Sequence, residues 1–246
     1  MSDVKNSLNS LDKIDPCSNC CHSCTNAFNP LLAGINLEDR IKLDDNRNEI
    51  TYKKGSIIFR ENTFPSGLFC LREGKVMVTK TDEFGNTIVI NMHKGVNFIG
   101  VADHLMGSPY QSTCIALSDV KACMIKSSAV EDLITKNPGF ARRLLSSLAS
   151  DYHQSSNRLL AITKKNMYAR IADALLELLS VFGTDEEGCI DVYLKRSEIA
   201  QICNMNETNV IRHLSALAKM GAIKLIGKKI LVQDKEILIR ESNSSY

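Results

Sequence analysis

The spacing of hydrophobic positions changes along the chain, and its first regular stretch is typical of β-strands. From residue 49 to about residue 127, short apolar runs such as SIIFR, KVMVTKT and TIVINMH alternate with turn residues. Runs of this length, separated by glycine and asparagine, indicate antiparallel strands. The EFGN tetrad at 83–86 suits a hairpin turn, because Gly85 and Asn86 tolerate positive φ. The pattern predicts a β-roll.

A long helix is expected after the strands. Ser128 with Glu131 fits a capping box for a short helix, and Asn137 with Pro138 suits the start of a longer one. One side of the longer helix carries residues at alternating spacings of four and three: Leu148, Tyr152, Ser155, Leu159 and Ile162. This heptad spacing favours pairing with a second chain, although a helix in the core of one chain can show the same stripe.

The last third of the chain has the element order of a winged helix-turn-helix. A helix is expected from about Asn166 to Gly183, where glycine suits a left-handed cap, and the following run CIDVYL predicts a short strand. Ser197 and Asn206 can cap two short helices. The second of these helices turns three apolar residues inward: Val210, Leu214 and Leu217. The runs AIKLI and KILVQ, joined near Gly227, predict a β-wing.

The fold class is therefore α+β, with four parts along 246 residues. They are a cysteine-rich leader over 1–27, a β-roll sensor domain over 28–138, a dimerisation helix over 139–163 and a winged helix-turn-helix over 164–246. No apolar run reaches the length of a membrane helix, and the first sixteen residues lack a secretion signal. We expect a cytoplasmic protein that does not contact membranes.

The second helix of the helix-turn-helix is predicted to read bases in the major groove of DNA. Five residues near its start would face the base edges: Glu207, Thr208, Asn209, Ile211 and Arg212. Arginine can bind guanine through two hydrogen bonds, and asparagine can pair with adenine. Lys224, Lys228 and Lys229 lie where the wing would touch phosphates. The net charge of the whole chain is only +2, but residues 194–230 contain seven basic and two acidic residues.

In these features the chain resembles the Crp/Fnr family of transcription regulators over nearly its whole length. The resemblance rests on the roll, the long helix, RIADALLEL at 170–178 and EIAQICNMNETNVIRHL at 198–214. It implies a cupin-like roll, a homodimer, inverted-repeat double-stranded DNA and RNA polymerase as partners. Arg212 matches the position of the arginine that family members use for base contact. Thr208 stands four residues earlier, where the family usually has a glutamate.

The family's effector pocket is altered in this sequence. Relatives that bind cyclic nucleotides carry a glycine–glutamate pair for the ribose and an arginine–serine pair for the phosphate. The matching pairs here are Gly100-Val101 and Gln111-Ser112, so the acid and the arginine are both missing. We therefore do not expect a cyclic nucleotide to bind there.

Nine cysteines are present, and four of them lie within eight residues of the leader. The Fnr branch of the family holds a [4Fe–4S] cluster with leader cysteines and one distant cysteine, and Cys123 matches that distant position. Four thiolates are the required ligand number. Cys17, Cys20 and Cys24 are the leader ligands that we predict, with Cys21 as the alternative, although two abutting CxxC pairs depart from the family's spacing.

Other control mechanisms stay open at this stage. The leader cysteines, with His22, also suit zinc, and clustered thiols suit a thiol–disulfide switch. Haem in the roll is a further alternative, with His93 and His104 as candidate ligands. A leader without any ligand is the last alternative.

Two functions outside DNA binding are further alternatives for this chain. A cupin-like metalloenzyme would need clustered histidines such as HxH, and the sequence has none, nor a nucleophile elbow, a P-loop or an HExxH motif. We expect no enzymatic activity. A dimeric sensor or adaptor that never touches DNA is the remaining alternative.

Overall fold

The computed structural model describes residue 32 and residues 34–243. Helix α1 (Leu37–Asp45) leads into a roll whose strands follow in chain order. They are β1 (Arg47–Tyr52), β2 (Ile57–Phe59), β3 (Gly67–Glu73), β4 (Lys75–Thr81), β5 (Thr87–Lys94), β6 (Asn97–Ile99), β7 (Thr113–Ala116) and β8 (Val120–Lys126). Helix α2 (Val101–Met106) lies between β6 and β7.

The roll consists of two four-stranded antiparallel sheets. Their strand orders are β1-β8-β3-β6 and β2-β7-β4-β5. Apolar residues of both sheets, among them Phe59, Leu71 and Val76, share one buried core. The hairpin predicted at EFGN joins β4 to β5, and the Asp82 carboxylate closes it by accepting from the N–H groups of Phe84 and Asn86 at 2.9 and 2.8 Å.

Two helices follow the roll, α3 (Ser127–Lys136) and α4 (Pro138–Lys164). The predicted start of α4 is confirmed, because the Asn137 side chain accepts from the Phe140 N–H at 2.9 Å. The capping box is wrong. Helix α3 already begins at Ser127, so Ser128 and Glu131 lie inside it, and Lys126 at its N-cap makes no side-chain cap.

The predicted heptad stripe of α4 is only partly exposed on the single chain. Tyr152 and Leu159 are 70% and 63% exposed, whereas Leu148 is partly buried against the core of its own chain and Ile162 is half-buried. Leu145, one heptad before Tyr152, is a further exposed leucine at 63%. Large apolar side chains at heptad spacing are costly to leave in water, so the exposed members of the stripe suit a contact with a second chain.

The C-terminal part contains α5 (Met167–Phe182), α6 (Arg196–Cys203), α7 (Glu207–Lys219), β9 (Ile223–Ile226), β10 (Lys229–Val232) and α8 (Lys235–Ser242). The predicted start of α5 near Asn166 is confirmed, and the Asn166 side chain caps the helix by accepting from the Ala169 N–H at 3.0 Å. Gly183 ends α5 with the expected positive φ of 71°, but its ψ of −154° is not that of a left-handed helix.

Two local predictions in this part are wrong. The CIDVYL run does not form the predicted strand and makes only isolated bridges at Ile190 and Cys189. Its backbone N–H groups donate to carbonyls of different segments, that of Ile190 to Ile230 and that of Asp191 to Gly183. Ser197 does not cap α6, which already begins at Arg196. Instead the Glu198 carboxylate accepts from the Lys195 N–H at 2.5 Å.

One apolar core joins the roll to the C-terminal part. Met77, Val89 and Met92 of strands β4 and β5 are buried in the same cluster as Leu175 and Leu178 of α5. Ionic contacts surround this core. Asp191 binds the ammonium groups of Lys75 and Lys94 at 2.5 and 3.2 Å, and buried Arg158 of α4 binds Glu177 and donates to the Val89 carbonyl at 2.8 Å.

The Asp191 contacts predict a pH-dependent contribution to stability. Burial alone would raise the pKa of Asp191, but hydrogen bonds from Lys75 and Lys94 lower it overall. Asp191→Asn should reduce the free energy of unfolding by about 1 kcal/mol at pH 7. A depressed folded-state pKa stabilises fully above the ordinary value of 3.8, so the difference from the wild type should begin to shrink as the pH falls below 3.8 and vanish once the pH has passed the lower folded-state pKa.

Urea denaturation of the wild type and of Asp191→Asn, from about pH 7 down to about pH 3, measures this difference in the free energy of unfolding. Asp132→Asn is the matched control, because Asp132 pairs with Lys136 within an exposed turn of α3 and makes no contact between domains. An Asp191→Asn effect no larger than that of Asp132→Asn at pH 7 would contradict the prediction.

Candidate nucleic-acid interface and sensor site

The turn between α6 and α7 is built as the sequence predicts. Asn204 adopts the left-handed conformation (φ 48°) that ends α6, and the Asn206 side chain caps α7 by accepting from the Asn209 N–H at 2.8 Å. Three residues of α7 are completely buried: Val210, Leu214 and Leu217. Because this face anchors the helix in the domain core, the opposite face is turned to solvent.

The residues predicted to read bases lie on that solvent face. Glu207, Thr208 and Arg212 are exposed, Ile211 is 49% exposed and Asn209 is partly exposed. Helix α7 therefore presents an arginine and an asparagine, which suit guanine and adenine, beside an aliphatic side chain that can meet a thymine methyl group.

The wing places its lysines in two different environments. Strands β9 and β10 pair through a turn at Gly227, and Lys224 and Lys228 are exposed. The Lys229 ammonium instead lies 2.9 Å from Glu187 and 3.2 Å from Asp185, and the bonds to these two carboxylates raise its pKa. Lys224 and Lys228 are thus better placed for phosphate than Lys229.

The same ammonium argues against a cation site at this position. Ligand atoms of Asp185, Glu187 and Cys189 lie within 4.8 Å of one another. Lys229 binds both carboxylates and offsets one of their two negative charges, and Asp185 also accepts from the N–H groups of Cys189 and Glu187. A metal ion would have to displace an ammonium group that is already bound.

His213 is a residue of α7 that the sequence analysis did not single out. It is buried beside the ring of Tyr168, with 4.3 Å between ring centroids, and neither ring nitrogen has a hydrogen-bond partner among the described residues. Burial, and next the charge of Arg212, lower the pKa of His213. Its spacing of three from Val210 is the sequence feature that places it on the inner face.

The four predicted pocket residues lie together beside α2. Gly100 begins α2 with φ 74°, and a Cβ there would lie 2.8 Å from the ring of Tyr110. Val101 and Ser112 are buried, whereas Gln111 is exposed and its side chain donates to the Pro109 carbonyl. The structure thus brings both altered pairs to one place.

The carboxyl group beside these residues was not anticipated. Burial raises the pKa of Asp103, an effect opposed by a hydrogen bond from the Gln111 backbone and by the charge of Lys80. Sequence reasoning missed Lys80 because it lies on β4, and only the fold brings it near α2. A buried acid with one exposed lysine nearby differs from the ribose and phosphate contacts of the cyclic-nucleotide site.

Cys123 lies on β8, directly opposite Cys70 of β3, and both side chains are buried. The Arg47 guanidinium donates from Nη1 to the Cys123 sulfur at 3.2 Å. Metal-bound thiolates commonly accept such hydrogen bonds, so the surroundings of Cys123 fit a ligand sulfur. The other predicted ligands lie outside the described residues: Cys17, Cys20, Cys21, Cys24 and His22.

The two histidines weighed as haem ligands have different surroundings. His93 is buried, its Nδ1 lies 3.1 Å from the Asn97 amide nitrogen, and burial lowers its pKa while the neighbouring charge of Asp151 opposes this. His104 lies on α2, and burial lowers its pKa too. The contacts of His93 favour a structural role beneath α4.

Within the part of the chain that the structure describes, no helix combines the length and the apolar character needed to cross a bilayer.

Comparison with known proteins identifies both folded parts. Residues 49–137 match the family model of the cyclic nucleotide-binding domain, and residues 169–241 match that of the Crp-like helix-turn-helix domain. A CRP-like cAMP-activated global transcriptional regulator of Mycobacterium tuberculosis is 26% identical over 195 residues, which cover 78% of this chain and 87% of that protein.

Further matches agree in fold. An anaerobic regulatory protein of Pasteurella multocida is 22% identical over 195 residues, covering 78% of this chain and 71% of that protein. The structure of FixK2 from Bradyrhizobium japonicum superposes with a TM-score of 0.73 at 20% identity, covering 81% of this chain and 99% of that one. The chain therefore belongs to the Crp/Fnr family of DNA-binding transcription regulators, whose members are not enzymes.

Proposed function

We propose that this regulator is a homodimer that binds inverted-repeat DNA and responds to oxygen or redox state through a [4Fe–4S] cluster held by Cys123 and three leader cysteines. The observation that carries the redox part is the buried Cys123 sulfur with a guanidinium donor at 3.2 Å. A regulator of this kind acts in the cytoplasm and works through RNA polymerase.

For DNA, the proposal rests on the two faces of α7. Its buried face fixes the helix, and its exposed face offers Arg212, Asn209 and Ile211 to base edges. Lys224 and Lys228 of the wing would contact phosphates, which position the domain without reading sequence. Lys229 is left out of this set, because its ammonium is already bound by carboxylates.

For the dimer, the proposal rests on the exposed heptad stripe of α4. This helix has 27 residues and is about 40 Å long, so two copies can pair over several turns. A pair of chains related by two-fold symmetry presents α7 twice, which matches a DNA site with two inverted halves.

For the sensor, two kinds of relative suggest different effectors. One is named as cAMP-activated and another as an anaerobic regulator. Here Val101 and Gln111 stand where a cyclic nucleotide needs an acid and an arginine, which favours the second kind. When bound, the cluster supplies oxygen-sensitive redox chemistry, while Cys123 links the leader to β8 and hence to the roll beneath α4.

Loss of Arg212 should weaken and broaden DNA recognition. Arg212→Ala should cost roughly 1–3 kcal/mol of binding free energy and relax one base position per half-site. The measurement is fluorescence anisotropy with duplexes that the wild-type protein selects from a random library. Lys228→Ala is the comparison, because a phosphate contact should weaken all sequences alike and reduce the salt dependence. Unchanged base preference in Arg212→Ala would reject this role.

The heptad stripe predicts a difference between two adjacent leucines. Leu159 and Leu160 are 63% and 58% exposed, but only Leu159 lies on the stripe. Leu159→Glu should convert the dimer to a monomer in sedimentation experiments, because two buried carboxylates would face each other. Leu160→Glu should remain dimeric, since Leu160 faces the cleft between α4 and α5. Equal effects of the two substitutions would count against the proposed interface.

The cluster predicts that iron and sulfide bind together. Anaerobic reconstitution of the full chain should give about four of each per chain, and Cys123→Ser should lose them. Cys114→Ala is the matched control, because Cys114 is a buried cysteine of the other sheet. Zinc without sulfide would support the zinc alternative, and a chain without iron or sulfide after reconstitution would refute the iron–sulfur proposal.

A further inference from the structure

A cleft between α4, α5 and the end of α6 takes no part in the proposed DNA and cluster sites. Its volume is about 630 Å³, within the range of roughly 300–1,000 Å³ that is typical of small-molecule sites. Its lining includes the buried side chains of Ala174 and Ile202 and the exposed side chain of Leu160. Of the heptad stripe of α4, only Ile162 lines the cleft, so the dimer surface and the cleft are largely separate.

Four basic and two acidic side chains line this cleft, and both acids already have a basic partner. The Arg158 guanidinium binds Glu177, and the Lys165 ammonium lies 2.5 Å from Asp173. Because these pairs neutralise each other, the remaining basic residues give the cleft an excess of positive charge. An anion that enters the cleft would therefore meet a favourable potential.

The excess charge is carried by Lys164 and Arg170. Lys164 is exposed and makes no ion pair with any residue that the structure describes. Arg170 donates from Nη1 to the carbonyl oxygens of Cys203 and Asn204 at 3.4 and 3.1 Å, but no carboxylate within residues 34–243 pairs with it. These carbonyls end α6, so Arg170 links α5 to the helix-turn-helix while its charge stays available to an anion.

Three polar atoms of cleft residues are buried without a hydrogen-bond partner among the described residues. They are Oε1 of Gln154, Nε of Arg158 and Nε of Arg170. Buried polar atoms are nearly always satisfied by protein, water or a ligand. Two of the three are donors, which suits an acceptor such as an anionic oxygen.

We propose that this cleft binds a small organic anion that has an apolar body. The body would pack against Leu160, Ala174 and Ile202, and the head group, a carboxylate or a phosphate, would bind at Lys164 and Arg170. The proposal goes beyond the cluster and the DNA site and depends on neither. Because α4 is the dimer helix and α5 and α6 belong to the DNA-binding domain, a bound anion would contact both parts and favour their present orientation.

The test is isothermal titration calorimetry of the full chain with probes that separate charge from apolar contact. Octanoate and octyl phosphate have both an apolar chain and an acidic head, whereas octanol lacks the charge and inorganic phosphate lacks the chain. About one octanoate or octyl phosphate should bind per chain, at least about 5-fold more tightly than octanol. Inorganic phosphate should show no measurable binding. The tighter of the two acidic probes identifies the head group.

Two substitutions in the cleft have matched controls elsewhere. Leu160→Glu should weaken octanoate binding about 10-fold or more, because it adds a carboxylate and removes an apolar contact. Leu105→Glu is its control, since Leu105 is an exposed leucine of α2 outside the cleft. Lys164→Gln should weaken octanoate by about 3-fold and leave octanol unchanged. Arg142→Gln, near the other end of α4, should change neither.

Thermal unfolding and sedimentation check that the variants fold and stay dimeric. Equal affinities for octanoate and octanol would overturn the proposal, because apolar surface alone would then be responsible. Equal losses in Leu160→Glu and Leu105→Glu would overturn it too, as would a chain without saturable octanoate binding, whose cleft would then hold only water. None of these results bears on iron uptake through Cys123 or on base preference at Arg212, so the earlier proposals fail or stand separately.

Discussion

The arrangement of this regulator depends on one apolar core that its two domains share. Met77, Val89 and Met92 of the roll are buried against α5, so neither surface can meet water without a large loss of hydrophobic free energy. Asp191 and Arg158 surround this core with ionic contacts whose partners lie in the other domain. The orientation of the helix-turn-helix is therefore coupled to the structure of β4 and β5.

This coupling connects two places with different chemistry. At one end, α7 presents an exposed face that carries polar and charged side chains. At the other end, the Cys123 sulfur lies in an apolar core and accepts a hydrogen bond from Arg47. Helix α4 packs near both ends, since Phe140 shares a core with Cys123 and Arg158 binds Glu177 of α5. Helix α4 thus has contacts with the cores of both domains.

Much of the fold and of the DNA interface follows from local sequence patterns. The caps at Asn137 and Asn206 were predicted correctly, because a cap depends on residues within one turn of it. The inner face of α7 follows from helical spacing alone. The predictions for CIDVYL, Ser128 and Ser197 failed, because hydrogen bonds to distant carbonyls or a one-residue shift of the helix start outweighed the local preference.

The sequence by itself determined the order of elements, the helix-turn-helix and the exposed heptad stripe, because each depends on periodicity and near neighbours. Only the tertiary structure decided which charges meet. It joined Arg47 to Cys123 across 76 residues, brought Lys80 towards Asp103 and bound Lys229 to two carboxylates. Such pairs depend on strand register and domain docking, which bring together residues that no local pattern relates.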